Sequence, residues 1–174
     1  MTHNTPPKTV LITGCSAGAL GYALAEAFAN KGYFVFATLR DPKKAISLSR
    51  DTIQVLPLEV TSQESIDACF NHMRAATEGR GLDVLVNNAG VGYVMPLLDT
   101  SIEESKKLFE VNVWGVLSVT QKFAPLVIEA EGTVLNISSL AGAVRMAWQG
   151  VLHPLPLKLQ SQDIGTDLMN RCLQ

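Results

Sequence analysis

Charged residues are scarce in this 174-residue sequence: Asp, Glu, Lys and Arg together make up 17%, against 47% apolar residues. That balance excludes an intrinsically disordered chain, which lacks the apolar content needed to offset the entropy of ordering. A surplus of positive charge is missing as well. The net charge is −2 and the Lys and Arg residues are scattered, so there is no basic stripe to neutralise phosphates, and neither nucleic acid nor an acidic membrane surface is expected as a partner. Cysteine is limited to Cys15, Cys69 and Cys172, an odd number without metal-ligand spacing. This excludes a disulfide framework and a zinc site, and points to free thiols in a reducing compartment, the cytosol. Long hydrophobic runs are lacking near the start: Met1 to Lys8 is polar, and Val10-Leu11-Ile12 is far too short for a signal-peptide core or a membrane span. Neither export nor a membrane span is expected. Tyrosine occurs only as Tyr22, Tyr33 and Tyr93, with none beyond.

What is present is an alternation. Short β-branched and aromatic runs predict strands at Thr9–Thr13, Phe34–Thr38, Ile53–Leu58, Asp83–Asn87 and Gly132–Ser138. Between them, apolar residues at three- and four-residue steps predict helices over Tyr22–Asn30, Ser62–Thr77 and Ser101–Ile128, with a weaker one over Pro42–Leu48. Each apolar run taken alone also fits a buried helix segment, but their brevity and their Gly, Asn and Asp flanks favour strands. Asn30-Lys-Gly32 has the glycine of a left-handed helix C-terminus, and Thr61-Ser-Gln-Glu64 reads as a capping box. The length suits one domain, and the pattern predicts an α/β fold: a doubly wound, Rossmann-type parallel sheet covered by crossover helices. The pattern changes after Gly150. Residues 151–160 have neither period, and Pro154 and Pro156 exclude a regular helix.

The first strand runs directly into Thr13-Gly-Cys-Ser-Ala-Gly-Ala-Leu-Gly21 and then into a helix. Glycines at 14, 18 and 21 permit a tight turn and close approach of a ligand, while the helix N-terminus offers N–H groups to a pyrophosphate. A dinucleotide is the expected ligand. At the end of the second strand, where an Asp or Glu would bind the ribose hydroxyls of NAD, stand Leu39 and then Arg40. A neutral side chain followed by a guanidinium suits the 2′-phosphate of NADP, although Arg40 also fits a solvated charge at a strand end.

Four motifs in this order make the chain similar to the short-chain dehydrogenase/reductase family over about residues 8–150. They are the glycine turn Thr13 to Gly21, Asn87-Asn-Ala-Gly90, Val111-Asn-Val-Trp-Gly115, and Asn136-Ile-Ser-Ser-Leu-Ala-Gly142. The turn and the Gly32 to Arg40 stretch further resemble a fungal branch that includes 1-acyldihydroxyacetone-phosphate reductases. Ala19 stands where that branch has a second glycine. The resemblance implies NADP-dependent reduction of a ketone or oxidation of a secondary alcohol, with lipid or secondary-metabolite substrates in range, and a family that is usually homo-oligomeric. It implies cofactor contacts at Ile12, Gly14, Ser16, Gly18, Leu20, Gly21, Arg40, Glu59, Val60, Asn88, Ala89 and Gly90. Glu59 replaces the Asp that the family shows beside the adenine. Ser139, with Ser138 as fallback, would hydrogen-bond the substrate carbonyl. Asn112 would bend its helix and hold a water of the proton relay, or else be a core amide satisfied by backbone.

The family's catalytic acid is a tyrosine thirteen positions after the serine, with a lysine four further on that lowers the phenol pKa. Those positions hold Leu152 and Pro156. His153 and Lys158 are nearby, but the prolines break the helix that would present them. The expectation is therefore a cofactor-binding domain over 1–150 and a non-homologous, disordered tail over 151–174, with the catalytic helix, the last strands and part of the oligomer interface missing. A reading-frame change, a retained intron or a gene-model error would produce such a step. Two activities follow as alternatives: a carbonyl reductase by lineage, or a catalytically inactive product that binds at most nucleotide or a full-length relative.

Overall fold

Strands form where the apolar runs are short and β-branched, and in the computed structural model, which describes residues 6–138, five of them make one sheet. They are β1 (Thr9–Thr13), β2 (Phe34–Leu39), β3 (Ile53–Pro57), β4 (Val84–Asn87) and β5 (Thr133–Asn136). All are parallel, in the order β3-β2-β1-β4-β5. The chain therefore winds outward from β1 to β3, returns, and winds the other way from β4 to β5, placing a topological switch between β1 and β4.

Because side chains alternate across a strand, each strand feeds two cores. Leu11, Phe36, Leu56, Leu85 and Val134 pack on one face with Ile66, Cys69, Phe70 and Met73 of α2 (Gln63–Ala76) and Val119, Phe123 and Leu126 of α4 (Val116–Glu129). Val10, Ile12, Val35, Ala37 and Val86 pack on the other, with Ala25 and Ala29 of α1 (Leu20–Asn30) and with Ala45 and Leu48. Burial on both faces is why Val10-Leu11-Ile12, the middle of β1, is apolar without alternation. An ion pair of 2.6 Å between Lys122 and Asp67 joins α4 to α2, with the ammonium 4.9 Å from the centre of the Phe70 ring. The Lys122 hydrogen bond, with one from Gln63, holds the Asp67 carboxyl below its usual range.

The helices differ from expectation in three details. The run expected as one helix is α3 (Ile102–Phe109), a π-helical stretch over Glu110–Gly115, and then α4. The cap of α2 is Ser62, whose hydroxyl accepts from the Ser65 N–H, rather than Thr61. Ser65 in turn uses its hydroxyl on the Glu59 N–H, so a Ser-Ser pair replaces the Thr-Glu box. Pro42–Leu48 is 3₁₀-helical, with a kink at Ala45. By length and composition the run Ile102–Glu129 is able to cross a bilayer, and its Val119, Phe123, Leu126 and Val127 are buried against the sheet. The residues from 139 onward, and so the expected tail over 151–174, lie outside the described residues.

Candidate nucleotide-binding site

The turn after β1 owes its shape to β4. Thr13 Oγ1 accepts the N–H groups of Asn88 and Ala89, both at 2.9 Å, and the Asn88 Nδ2 donates to the carbonyls of Thr13 at 2.8 Å and Gly14 at 3.2 Å. So close an approach requires glycine at two places. Gly14 has φ +77°, and a Cβ there would lie 2.8 Å from the Ala89 Cα. A Cβ on Gly21 would lie 2.5 Å from Asn88 Nδ2 and 2.6 Å from the Gly14 carbonyl oxygen. Ala19, by contrast, is the N-cap of α1 in an extended conformation (φ −92°), which an alanine adopts without strain.

The first turn of α1 lacks both a side-chain cap and an acidic residue. The starts of α2 and α3 are finished differently: α2 has Ser62 and Glu64, and α3 has Ser101 with Glu103 and Glu104, while α4 continues from the π-helical stretch and has no free start. The leading N–H groups of α1 thus face the glycine turn with their partial positive charge unopposed by the chain's own anions, an arrangement suited to a phosphate.

Beside this turn, at the C-terminal ends of the strands, opens a cleft of about 350 Å³. Its walls include Gly14, Ser16, Leu20, Arg40, Glu59, Val60, Asn88, Ala89 and Gly90, so these members of the sequence-derived set converge on one place. Three others do not line it. Ile12 is fully buried in the core, its carbonyl accepting from Thr38 Oγ1 at 3.0 Å. Gly18 shapes the turn at φ +76° with open space where a Cβ would stand, and Gly21 serves the packing of α1 on Asn88. Leu39, Leu58, Val91 and Val111 also line the cleft. Sequence reading passed over the last three because their side chains carry no chemistry, though Val91 directly follows the Asn-Asn-Ala-Gly motif.

At the far rim the end of β2 meets the end of β3, held together by the Leu58 N–H on the Leu39 carbonyl at 3.0 Å. Leu39 is buried and Arg40 is largely exposed. Arg40 Nε lies 3.6 Å from Glu59 Oε2, while Glu59 Oε1 accepts from the Thr61 N–H at 3.3 Å and the Thr61 hydroxyl at 3.0 Å.

Cys15, in the middle of the glycine turn, is fully buried and donates to the Ile12 carbonyl at 3.3 Å. Burial pushes its thiol pKa up to about 12, so it is an inert packing residue and not a nucleophile.

Asn112 sits in the π-helical stretch. Its Oδ1 accepts from the Val91 N–H at 2.9 Å and its Nδ2 donates to the Val91 carbonyl at 2.8 Å, the backbone-satisfied arrangement. Asn87 Nδ2 donates to Asn136 Oδ1 at 2.8 Å and Thr120 Oγ1 at 2.9 Å, tying β4 to β5 and α4. Ser138 is exposed just past β5, outside the cleft wall, and Ser139 lies outside the described residues.

A family model described as short chain dehydrogenase matches residues 8–151. A short-chain dehydrogenase of Talaromyces islandicus is 52% identical over 145 residues, covering 83% of this chain and 51% of that protein. An NADPH-dependent 1-acyldihydroxyacetone phosphate reductase of Schizosaccharomyces pombe is 38% identical, covering 84% and 49%. The chain thus spans about half the length of these curated relatives. Among solved structures, a short-chain dehydrogenase from Streptomyces avermitilis superimposes with a TM-score of 0.76 at 30% identity, covering 96% of this chain and 59% of that one. With the matched sequence, the β1–β4 switch and the glycine turn clamped by Asn88 all in agreement, the chain belongs to the short-chain dehydrogenase family.

Proposed function

We propose that this chain belongs to an NADP-dependent carbonyl reductase, acting on a ketone or secondary alcohol of small-molecule size, lipid-derived or a secondary metabolite. The observation that carries the reading is the pair at the end of β2: a buried, neutral Leu39 where NAD enzymes place an acid, followed by Arg40 on the cleft wall. The residues present fit the nucleotide. The uncapped start of α1 and the glycine turn suit its pyrophosphate, and Arg40 suits a 2′-phosphate. When bound, the nicotinamide supplies or accepts hydride. The chain's own residues orient the nucleotide, and Asn112 fixes the loop at Val91 on which its far end would rest. The NADPH dependence named for the Schizosaccharomyces pombe relative supports the same cofactor. Two buried free thiols, Cys15 and Cys69, support a reducing, cytosolic location.

The test is titration of the chain with NADPH and NADH, with Arg40→Ala alongside. NADPH should bind more tightly, and the variant should lose about 1–3 kcal/mol of that preference, the range for a charge-assisted hydrogen bond. Equal affinities of the unaltered chain for the two cofactors would overturn the NADP reading.

Leu152 and Pro156, at the family's Tyr and Lys positions, favour a second reading in which the 174-residue chain binds nucleotide without turnover. A general acid typically contributes about 10²–10⁴-fold, so a chimera keeping residues 1–151 and continuing into a relative's Tyr-x-x-x-Lys helix should reduce ketones at least about a hundredfold faster. Comparable rates would rule this second reading out.

A further inference from the structure

We propose that Glu59 sets the strength of cofactor discrimination by competing with the 2′-phosphate for the guanidinium of Arg40. The inference rests on the NADP reading above and assigns to Glu59 a role other than contact with the adenine.

The two members of this ion pair are held very differently. Glu59 is anchored. Its Oε1 accepts from both the N–H and the hydroxyl of Thr61, and its side chain is only about a third exposed. Arg40 has a side chain 75% exposed and no other hydrogen-bond partner among the described residues. The carboxylate is therefore a fixed anion, and the guanidinium is the member free to move. The contact between them is long, 3.6 Å from Nε to Oε2, so the paired planar geometry of which a guanidinium is capable is not used up. The Nη groups remain able to take a second anion. Register fixes the encounter: the backbone bond from Leu58 N–H to the Leu39 carbonyl places the residues that follow, Glu59 and Arg40, side by side on the same cleft wall.

A phosphomonoester carries a charge of about −1.5 to −2 near neutral pH. Arriving at Arg40, it meets a cation already partly neutralised, with a fixed carboxylate beside it. A ribose hydroxyl at the same place carries no charge and meets no such opposition. The carboxylate thus lowers affinity for the phosphorylated nucleotide selectively, and the balance between Arg40 and Glu59 decides how strongly the site prefers it. Any contact of Glu59 with the adenine acts equally on both nucleotides and drops out of their ratio.

The experiment uses the chain with 2′,5′-ADP and 5′-AMP as probes in titration calorimetry, with NADPH and NADH as the full-length pair. Glu59→Gln keeps an acceptor for Thr61 and removes the charge; Glu59→Ala removes both. Each should tighten 2′,5′-ADP relative to 5′-AMP by about three- to fivefold, the upper scale of an exposed charge interaction, and should widen the NADPH-to-NADH ratio equally. In an Arg40→Ala background the same substitutions should change the ratio less than twofold. Circular dichroism and thermal unfolding establish that each variant is folded. An unchanged or narrowed ratio in both Glu59 variants, with both probes still bound, would overturn the competition while leaving the NADP reading intact. A widening that persists without Arg40 would also overturn it, because the carboxylate would then act on the phosphate directly. Failure of the unaltered chain to bind either probe would overturn both proposals.

Discussion

The side-chain amide of Asn112 is paired at both of its ends with the backbone of one residue, Val91, as a neighbouring strand would pair with it. A residue of the π-helical stretch is thus the one that holds the loop after β4. Removing it by Asn112→Ala leaves the Val91 N–H and carbonyl to water. Because Val91 is exposed and water can take the place of the amide, a loss of about 0.5–1.5 kcal/mol in denaturant unfolding is expected, with lost hydrogen-exchange protection at the Val91 amide. Asn112→Asp keeps the acceptor and should retain more of that protection than alanine does.

Gly21→Ala should be damaging although alanine is the better helix former. The added methyl would meet the Gly14 carbonyl and Asn88 Nδ2, and must push the glycine turn away from β4. Overpacking of this kind costs about 1–3 kcal/mol. Nucleotide affinity should fall at least about tenfold. An affinity equal to that of the unaltered chain would show that the turn yields freely.

Stability should decline in alkali. Burial raises the thiol pKa of both Cys15 and Cys69 from 9.0 to about 12, so between these values the unfolded chain has lost protons that the folded chain keeps. Stability is then full below about pH 9 and falls as pH rises toward 12, by up to about 1.4 kcal/mol per pH unit for each thiol. Urea midpoints measured from pH 8 to 11 check this, and Cys15→Ala together with Cys69→Ala should flatten the decline. A thiol reagent at pH 8 should label neither cysteine until the chain is unfolded.

Glu78 and Glu131 both follow helices with positive φ, 51° and 50°, where glycine is at ease and glutamate is strained. Glu131→Gly should raise stability by about 0.5–1 kcal/mol, read as a higher urea midpoint at constant slope. No gain would show that the added freedom of the unfolded chain cancels the relieved strain.

Much of this architecture was legible in the sequence because its causes are local. Val10-Leu11-Ile12 and Val84-Leu85-Val86 are short apolar runs whose flanks favour strands over buried helix segments, and Gly32 at φ +86° closes α1 where Asn30-Lys-Gly32 said it should. What escaped depends on partners distant in the chain. Asn112, inside the π-helical turn, bonds a backbone 21 residues away, and the Arg40–Glu59 pair depends on the register of β2 against β3. The capping of α2 was misread by one residue because Thr61 and Ser62 have the same chemistry. In the folded chain the Thr61 hydroxyl is engaged with Glu59 and that of Ser62 caps the helix.

Asn88 and Thr13 stand 75 positions apart, yet together they complete the turn that precedes α1. During synthesis the glycine stretch leaves the ribosome early, along with β1, but it has nothing to hold its shape until Asn88 and Ala89 have been made and β4 has slotted in beside β1. A growing chain that ends short of Asn88 carries the whole glycine motif without its clamp. The earliest part of the nucleotide site to be synthesised is thus among the last to be finished, and acquisition of nucleotide binding reports the moment at which the two halves of the sheet have met.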